Sequence, residues 1–258
     1  AALDQHPAQR ARGIAEVVVV ARLDLLARDI LPAPRLQAPL ERGRFRSMVA
    51  GNLLPDPNVY SLLVEDDDVW LGTLKGPALA ETLYRDPGLR PFTDLDLLVR
   101  PADAPRAISL LSALGYRHLD AGHSLPYELA WRHAAPFVGE AGGPDSLPID
   151  LHWWLVDSPG IAPAPPIDHG ELWERAVKVD AWDQPARGLG PEDLLIYLAV
   201  HWALHHALSG LIWGLDLALL LRRCGGNLDW EAVAERARRW RVAGALYFAL
   251  RGVEEEFA

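Results

Sequence analysis

The sequence predicts an α+β fold, and three observations carry that prediction. Between residues 69 and 157, short stretches with alternating apolar side chains trade places with stretches of helical spacing. A run holding Pro159, Pro163, Pro165 and Pro166 closes that region as a stiff connector. Beyond it lie long Leu- and Ala-rich stretches that read as helices. The chain therefore divides into a helical N-terminal segment (1–68), a strand-bearing core (69–157) and a helical C-terminal domain (170–258).

Each element has a local reason. Residues 8–50 read as helical, with Ala, Leu, Val and Arg at mixed spacings and a break at Leu31-Pro32-Ala33-Pro34. Residues 51–58 form a loop around Pro55 and Pro57. Glu65-Asp66-Asp67-Asp68 is a solvated turn, because like charges in a row repel and turns favour Asp. Residues 69–74 form a strand that feeds Lys75-Gly76-Pro77, a good helix start, and the helix runs to about Tyr84 with Leu79 and Leu83 on one face. After a turn at Asp86-Pro87-Gly88, the run Arg90-Pro91-Phe92-Thr93-Asp94-Leu95-Asp96-Leu97-Leu98-Val99 is a strand. Period-two alternation puts Asp94 and Asp96 on one face and Leu95, Leu97 and Val99 on the other. A helix over 101–114 buries Ile108, Leu110, Leu111 and Leu114 and ends at Gly115. Strands are expected near 116–119, 127–138 and 147–156, the last two joined by the Gly-rich turn 140–143. Helices follow over 171–176, from Pro191 with Glu192 and Asp193 in its first turn, over 211–223, and from Trp230 onward.

Composition narrows the function classes. The 258 residues are 50% hydrophobic and 23% charged, a globular balance, and the net charge of −10 argues against a surface that binds long nucleic acid. Cys224 is the only cysteine, so no intrachain disulfide forms, and no signal or membrane-spanning pattern stands out. A cytoplasmic protein is expected. Lys75 and Lys178 are the only lysines beside many arginines. A lysine kept in such a chain suits a place that wants a compact ammonium, and Lys75 next to Gly76 is where such a charge would meet phosphate.

Asp94 and Asp96 repel one another unless a cation lies between them, and hard oxygen pairs suit Mg²⁺ with its water and phosphate ligands. In Ile149-Asp150-Leu151-His152 the alternation sets Asp150 and His152 on one face, so Asp150 can supply a third carboxylate for metal-assisted phosphoryl chemistry or act as general base. Gly76 offers close backbone approach to phosphate oxygens. Arg90 fits either the leaving pyrophosphate or a nearby carboxylate, and His152 either the site or a structural pairing.

Lys75-Gly76-Pro77, Arg90, Asp94-Leu95-Asp96-Leu97-Leu98-Val99 and Ile149-Asp150-Leu151-His152-Trp153 together resemble the uncharacterised nucleotidyltransferase family of the polymerase-beta-like superfamily, over residues 69–223. The superfamily's glycine-serine pair is Lys75-Gly76 here. The resemblance implies a nucleotidyltransferase-like mixed sheet flanked by helices. It also implies transfer of a nucleoside monophosphate, AMP from ATP or the equivalent from another NTP, to a hydroxyl of a small molecule, an RNA end or a protein. Asp94, Asp96 and Asp150 would be the catalytic and Mg²⁺-binding residues, with Lys75, Gly76, Arg90 and Thr93 on the nucleotide. The alternative is a non-catalytic nucleotide-binding or partner module of a biosynthetic or peptide-maturation cluster.

Other features have plainer readings. His201 and His205 stand at i, i+4 as a helical zinc pair does, but no further ligands assemble around them. They are expected in interhelical packing or lining a cleft, with Asp216 on the next helix. The ten tryptophans read chiefly as packing anchors, although Trp153, Trp154, Trp202 and Trp213 lie near proposed cleft elements.

Overall fold

The computed structural model describes residues 71–84, 89–90, 92–119, 122–139, 147–156, 167–181 and 184–257. The expectations for residues 1–70 and for the turns and connector at 86–88, 140–143 and 158–166 lie outside them. Two compact units divide the described residues, one holding the sheet up to Leu189 and one made of helices from Gly190 onward.

Seven strands form a mixed sheet in the order β3-β4-β5-β2-β1-β7-β6. They are β1 (Leu71–Thr73), β2 (Leu95–Val99), β3 (Tyr116–His118), β4 (Ala134–Gly139), β5 (Ile149–His152), β6 (Val177–Ala181) and β7 (Gln184–Gly188). β2 pairs parallel with β5, and β1 parallel with β7; the other neighbours are antiparallel. Among the described residues, four helices belong to this unit: α1 (Pro77–Leu83), α2 (Ala104–Ala113), α3 (Leu125–Trp131) and α4 (His169–Glu174). The fold is α+β, as the sequence predicts.

The alternation places the core on one face. Leu95, Leu97 and Val99 of β2, Ile149 and Leu151 of β5, and Ala135 and Phe137 of β4 pack against Ala104, Ala107 and Leu111 of α2. Ile108, Leu110 and Leu114, expected as the buried side of that helix, are partly buried at its margin. β2 is buried along its whole length, as befits a central strand covered on both faces. That leaves Asp96 inside the protein on the face opposite this core.

Two stretches differ from the sequence reading. The expected strand 127–138 splits into α3 and β4. Tyr127, Leu129 and Trp131 alternate like a strand, yet all three are exposed on α3, and Pro126 in its first turn opens the helix after extended Ser124. Val177–Ala181 and Gln184–Gly188, expected among helices, are the antiparallel strands β6 and β7, which extend the sheet beyond β1.

The helical unit comprises α5 (Pro191–Val200), a π-turn over His201–His205, α6 (Leu211–Cys224), α7 (Trp230–Arg239) and α8 (Ala243–Phe257). Asp229 caps α7 by accepting from the Ala232 amide. Trp202 is buried where Gly214 of α6 and Gly252 of α8 leave room for its ring. Buried Asp193 of α5 accepts from Arg236 of α7 at 3.0 Å. Among the described residues no helix is long and apolar enough to cross a membrane.

Candidate active site

Strand register assembles the site within the sheet unit. In the parallel pair β2–β5, Asp96 stands directly opposite Asp150, and Leu98 opposite His152. Paired residues of neighbouring strands face the same way, so Asp96, Asp150 and His152 share the face away from the α2 core. The Leu95 amide donates to the Pro148 carbonyl at 2.9 Å, which extends this pairing toward Asp94. On the other side of β2, the Leu74 amide donates to the Asp96 carbonyl at 3.1 Å and prolongs the β1–β2 ladder. The next residue, Lys75, therefore arrives beside Asp96.

Gly76 then turns the chain into α1 with φ +57°, a conformation side-chain-bearing residues avoid. A Cβ there would lie 3.4 Å from the Asp94 carbonyl oxygen, an ordinary contact, so the backbone conformation is what calls for glycine.

The Lys75 ammonium donates to Asp96 Oδ1 at 2.8 Å, and His152 Nε2 lies 3.1 Å from the same oxygen. Burial alone would raise the Asp96 carboxyl, but Lys75 and the His152 hydrogen bond outweigh it and hold Asp96 well below the usual carboxylate range. Burial pulls His152 down to about 4 against the opposing pull of Asp96, so the imidazole is neutral at pH 7. An ionised carboxylate only accepts, which makes Nε2 the protonated nitrogen and leaves a lone pair on Nδ1. That buried Nδ1 has no hydrogen-bond partner among the described residues.

Asp150 behaves oppositely. Burial and then the charges of Asp96 and Asp94 push it up to about 6, with Lys75 only partly offsetting them. Asp94 is half-buried just ahead of β2 and is raised by burial and then by Asp96, while Lys75 and Arg90 draw it back. Arg90 is buried, and its charge acts on Asp94. Thr93 is exposed.

These residues fit a divalent cation. Asp96, Asp150 and His152 each offer one ligand atom, and those atoms all lie within 4.8 Å of one another. The crowding that raises Asp94 and Asp150 is what a cation would relieve, and hard carboxylate oxygens are its usual ligands. Asp94 adds charge nearby but lies outside that compact set of three.

His133, which the sequence reading did not single out, lies one residue ahead of β4, where Ala134 pairs with His152. Its ring meets that of His152 edge-on at 5.2 Å, and its charge acts on Asp150. Only the β4–β5 register brings it in. In the helical unit, His201 stacks on His205 at 5.3 Å, and its Nε2 lies 3.0 Å from that of His206, a closer partner than the i, i+4 spacing suggested. Trp213 stacks on His206, while Asp216 is fully buried. Trp153 and Trp202 are buried packing anchors with their indole N–H groups on the Arg132 and Ser209 carbonyls.

No curated protein matches the chain. Among solved structures, the antibiotic-resistance factor ANT(2'')-Ia is similar at 16% identity over 74% of this chain and 94% of its own, with a TM-score of 0.48. An antigenic nucleotidyltransferase-like protein from Paracoccidioides brasiliensis is similar at 12% identity over 77% of this chain and 94% of its own, with a TM-score of 0.41. The sequence profile of the uncharacterised nucleotidyltransferases matches residues 61–258, a span that takes in β1 through α8 and all the acidic residues just described, and the chain belongs to that family.

Proposed function

We propose that the protein is a Mg²⁺-dependent nucleotidyltransferase that moves a nucleoside monophosphate, AMP from ATP in the first instance, to a hydroxyl of a small molecule, an RNA end or a protein. The observation that carries this reading is the register of Asp96 against Asp150, which sets two carboxylates side by side on one sheet face. A cation held by Asp96 and Asp150, with Asp94 or His152 completing the protein's share, would neutralise phosphate charge and acidify the acceptor hydroxyl.

The chain's own groups do the rest. Asp150, on the same sheet face as Asp96, would take the acceptor's proton. The acceptor oxygen bonds to the α-phosphorus as the bond to the bridging oxygen breaks, and pyrophosphate leaves. In this reading Lys75 and Arg90 would steady that pyrophosphate, and Gly76 and Thr93 would contact the nucleotide. A cytoplasmic setting and a nucleoside triphosphate partner belong to the same reading. The negative charge of the chain favours a small-molecule or protein acceptor over a long nucleic acid.

Incubation with each α-labelled nucleoside triphosphate, Mg²⁺ and a fractionated extract of metabolites, RNA and protein tests the proposal. Label should pass to one discrete product. Asp96→Asn and Asp150→Asn should each reduce transfer by at least about 100-fold, the scale of losing a group needed in the transition state. Nucleotide binding without transfer would favour the non-catalytic module instead.

A further inference from the structure

Asp96 Oδ1 is doubly engaged, by the Lys75 ammonium at 2.8 Å and by His152 Nε2 at 3.1 Å. Both members of the ion pair are buried, Lys75 to 8% exposure and Asp96 to 4%. The Lys75 backbone is fixed on both sides, by the β1–β2 ladder before it and by the Gly76 turn after it. Its side chain is a point charge on four methylenes that can pivot, unlike the planar fork of an arginine. In a chain that places lysine at only two positions, one of them sits here.

The charge balance follows from these contacts. A divalent cation arriving alone must take Asp96 from an ammonium that is already in place. Displacing that ammonium breaks an ion pair whose two members are both buried, which is unfavourable. A cation arriving with a triphosphate removes the obstacle, because the polyphosphate oxygens give the ammonium a new anionic partner.

Resting on the reading of the site as metal-dependent, we infer that Lys75 is a positioning residue that makes metal binding conditional on the nucleotide. Its ammonium holds Asp96 in the free protein and passes to the polyphosphate when the metal–nucleotide complex enters. The site thus discriminates against bare cations and admits the complex.

Mn²⁺ as the probe, titrated by electron paramagnetic resonance of the free ion, tests this without turnover. The titration is run on the full chain with and without a non-hydrolysable ATP analogue. In the wild type, the analogue should tighten Mn²⁺ binding at least tenfold. Lys75→Met should bind bare Mn²⁺ at least tenfold tighter than wild type, with the benefit of the analogue largely lost. Its melting temperature should rise more steeply with added Mn²⁺. Lys75→Arg keeps the charge beside Asp96 and should restore weak binding of the bare ion, which keeps the test meaningful should Lys75→Met fold poorly. Asp150→Asn should weaken Mn²⁺ binding in every arm and so locate the ion. The inference is overturned if Lys75→Met binds bare Mn²⁺ no tighter than wild type, or if Lys75→Arg binds it as tightly as Lys75→Met does in the same assay. Absence of Mn²⁺ binding from every form, with or without the analogue, instead removes the metal-dependent reading itself, and the coupling with it.

Discussion

At Asp150, burial and the charges of Asp96 and Asp94 act in one direction, and the carboxyl keeps its proton up to about pH 6 against an ordinary value of 3.8. A raised carboxyl favours the folded state while it is protonated. That contribution is complete below about pH 4 and is lost as pH rises through about 6. At pH 7 without metal, the ionised carboxylate therefore works against folding by up to about 3 kcal/mol, at roughly 1.4 kcal/mol per unit. Asp150→Asn should raise the melting temperature of the metal-free protein at pH 7, and the advantage should shrink to nothing near pH 4. Melting curves in EDTA at the two pH values check this, and an Asn variant less stable than wild type at pH 7 would contradict it. Asp96 runs the other way: its depressed carboxyl contributes stability that is lost as pH falls below the ordinary carboxylate range.

Elements differ in how openly they were written. β2 could be read because leucines alternate with aspartates, and α1 because Pro77 follows a glycine. α3 could not, since Tyr127, Leu129 and Trp131 repeat with the period of a strand while standing in solvent. Asp94, Asp96, Asp150 and Lys75 were recognisable as candidates from chemistry and spacing. The Lys75–Asp96 ion pair and the place of His133 depend on which strand lies beside which, and register is a long-range property that no local window contains. The helical unit offers a test at this scale. A Cβ on Gly214 of α6 would stand 2.8 Å from the Trp202 ring and 2.7 Å from Phe257. Trp202 is buried and cannot swing clear, so overpacking of about 1–3 kcal/mol exceeds the gain of up to about 1 kcal/mol in helix propensity. Gly214→Ala should lower stability by about 1–2 kcal/mol in denaturant unfolding. An unchanged midpoint would mean the helices pack less closely there.

Across the whole molecule, Lys75, Asp94, Asp96, Asp150, His152 and His133 all come from the sheet unit, while buried pairs such as Asp193 with Arg236 organise the helical one. The candidate site residues are thus concentrated in one unit of the chain. The two lysines are split between very different surroundings: Lys75 is enclosed against Asp96, whereas Lys178 stands in solvent on β6. Acylating reagents attack uncharged, accessible amines, so a short treatment should mark the Lys178 peptide well before the Lys75 peptide in mass spectra. Equal rates would place Lys75 outside. The protein therefore carries a natural footprinting pair, an inner amine that reports on the state of the carboxylates and an outer one that serves as its internal standard.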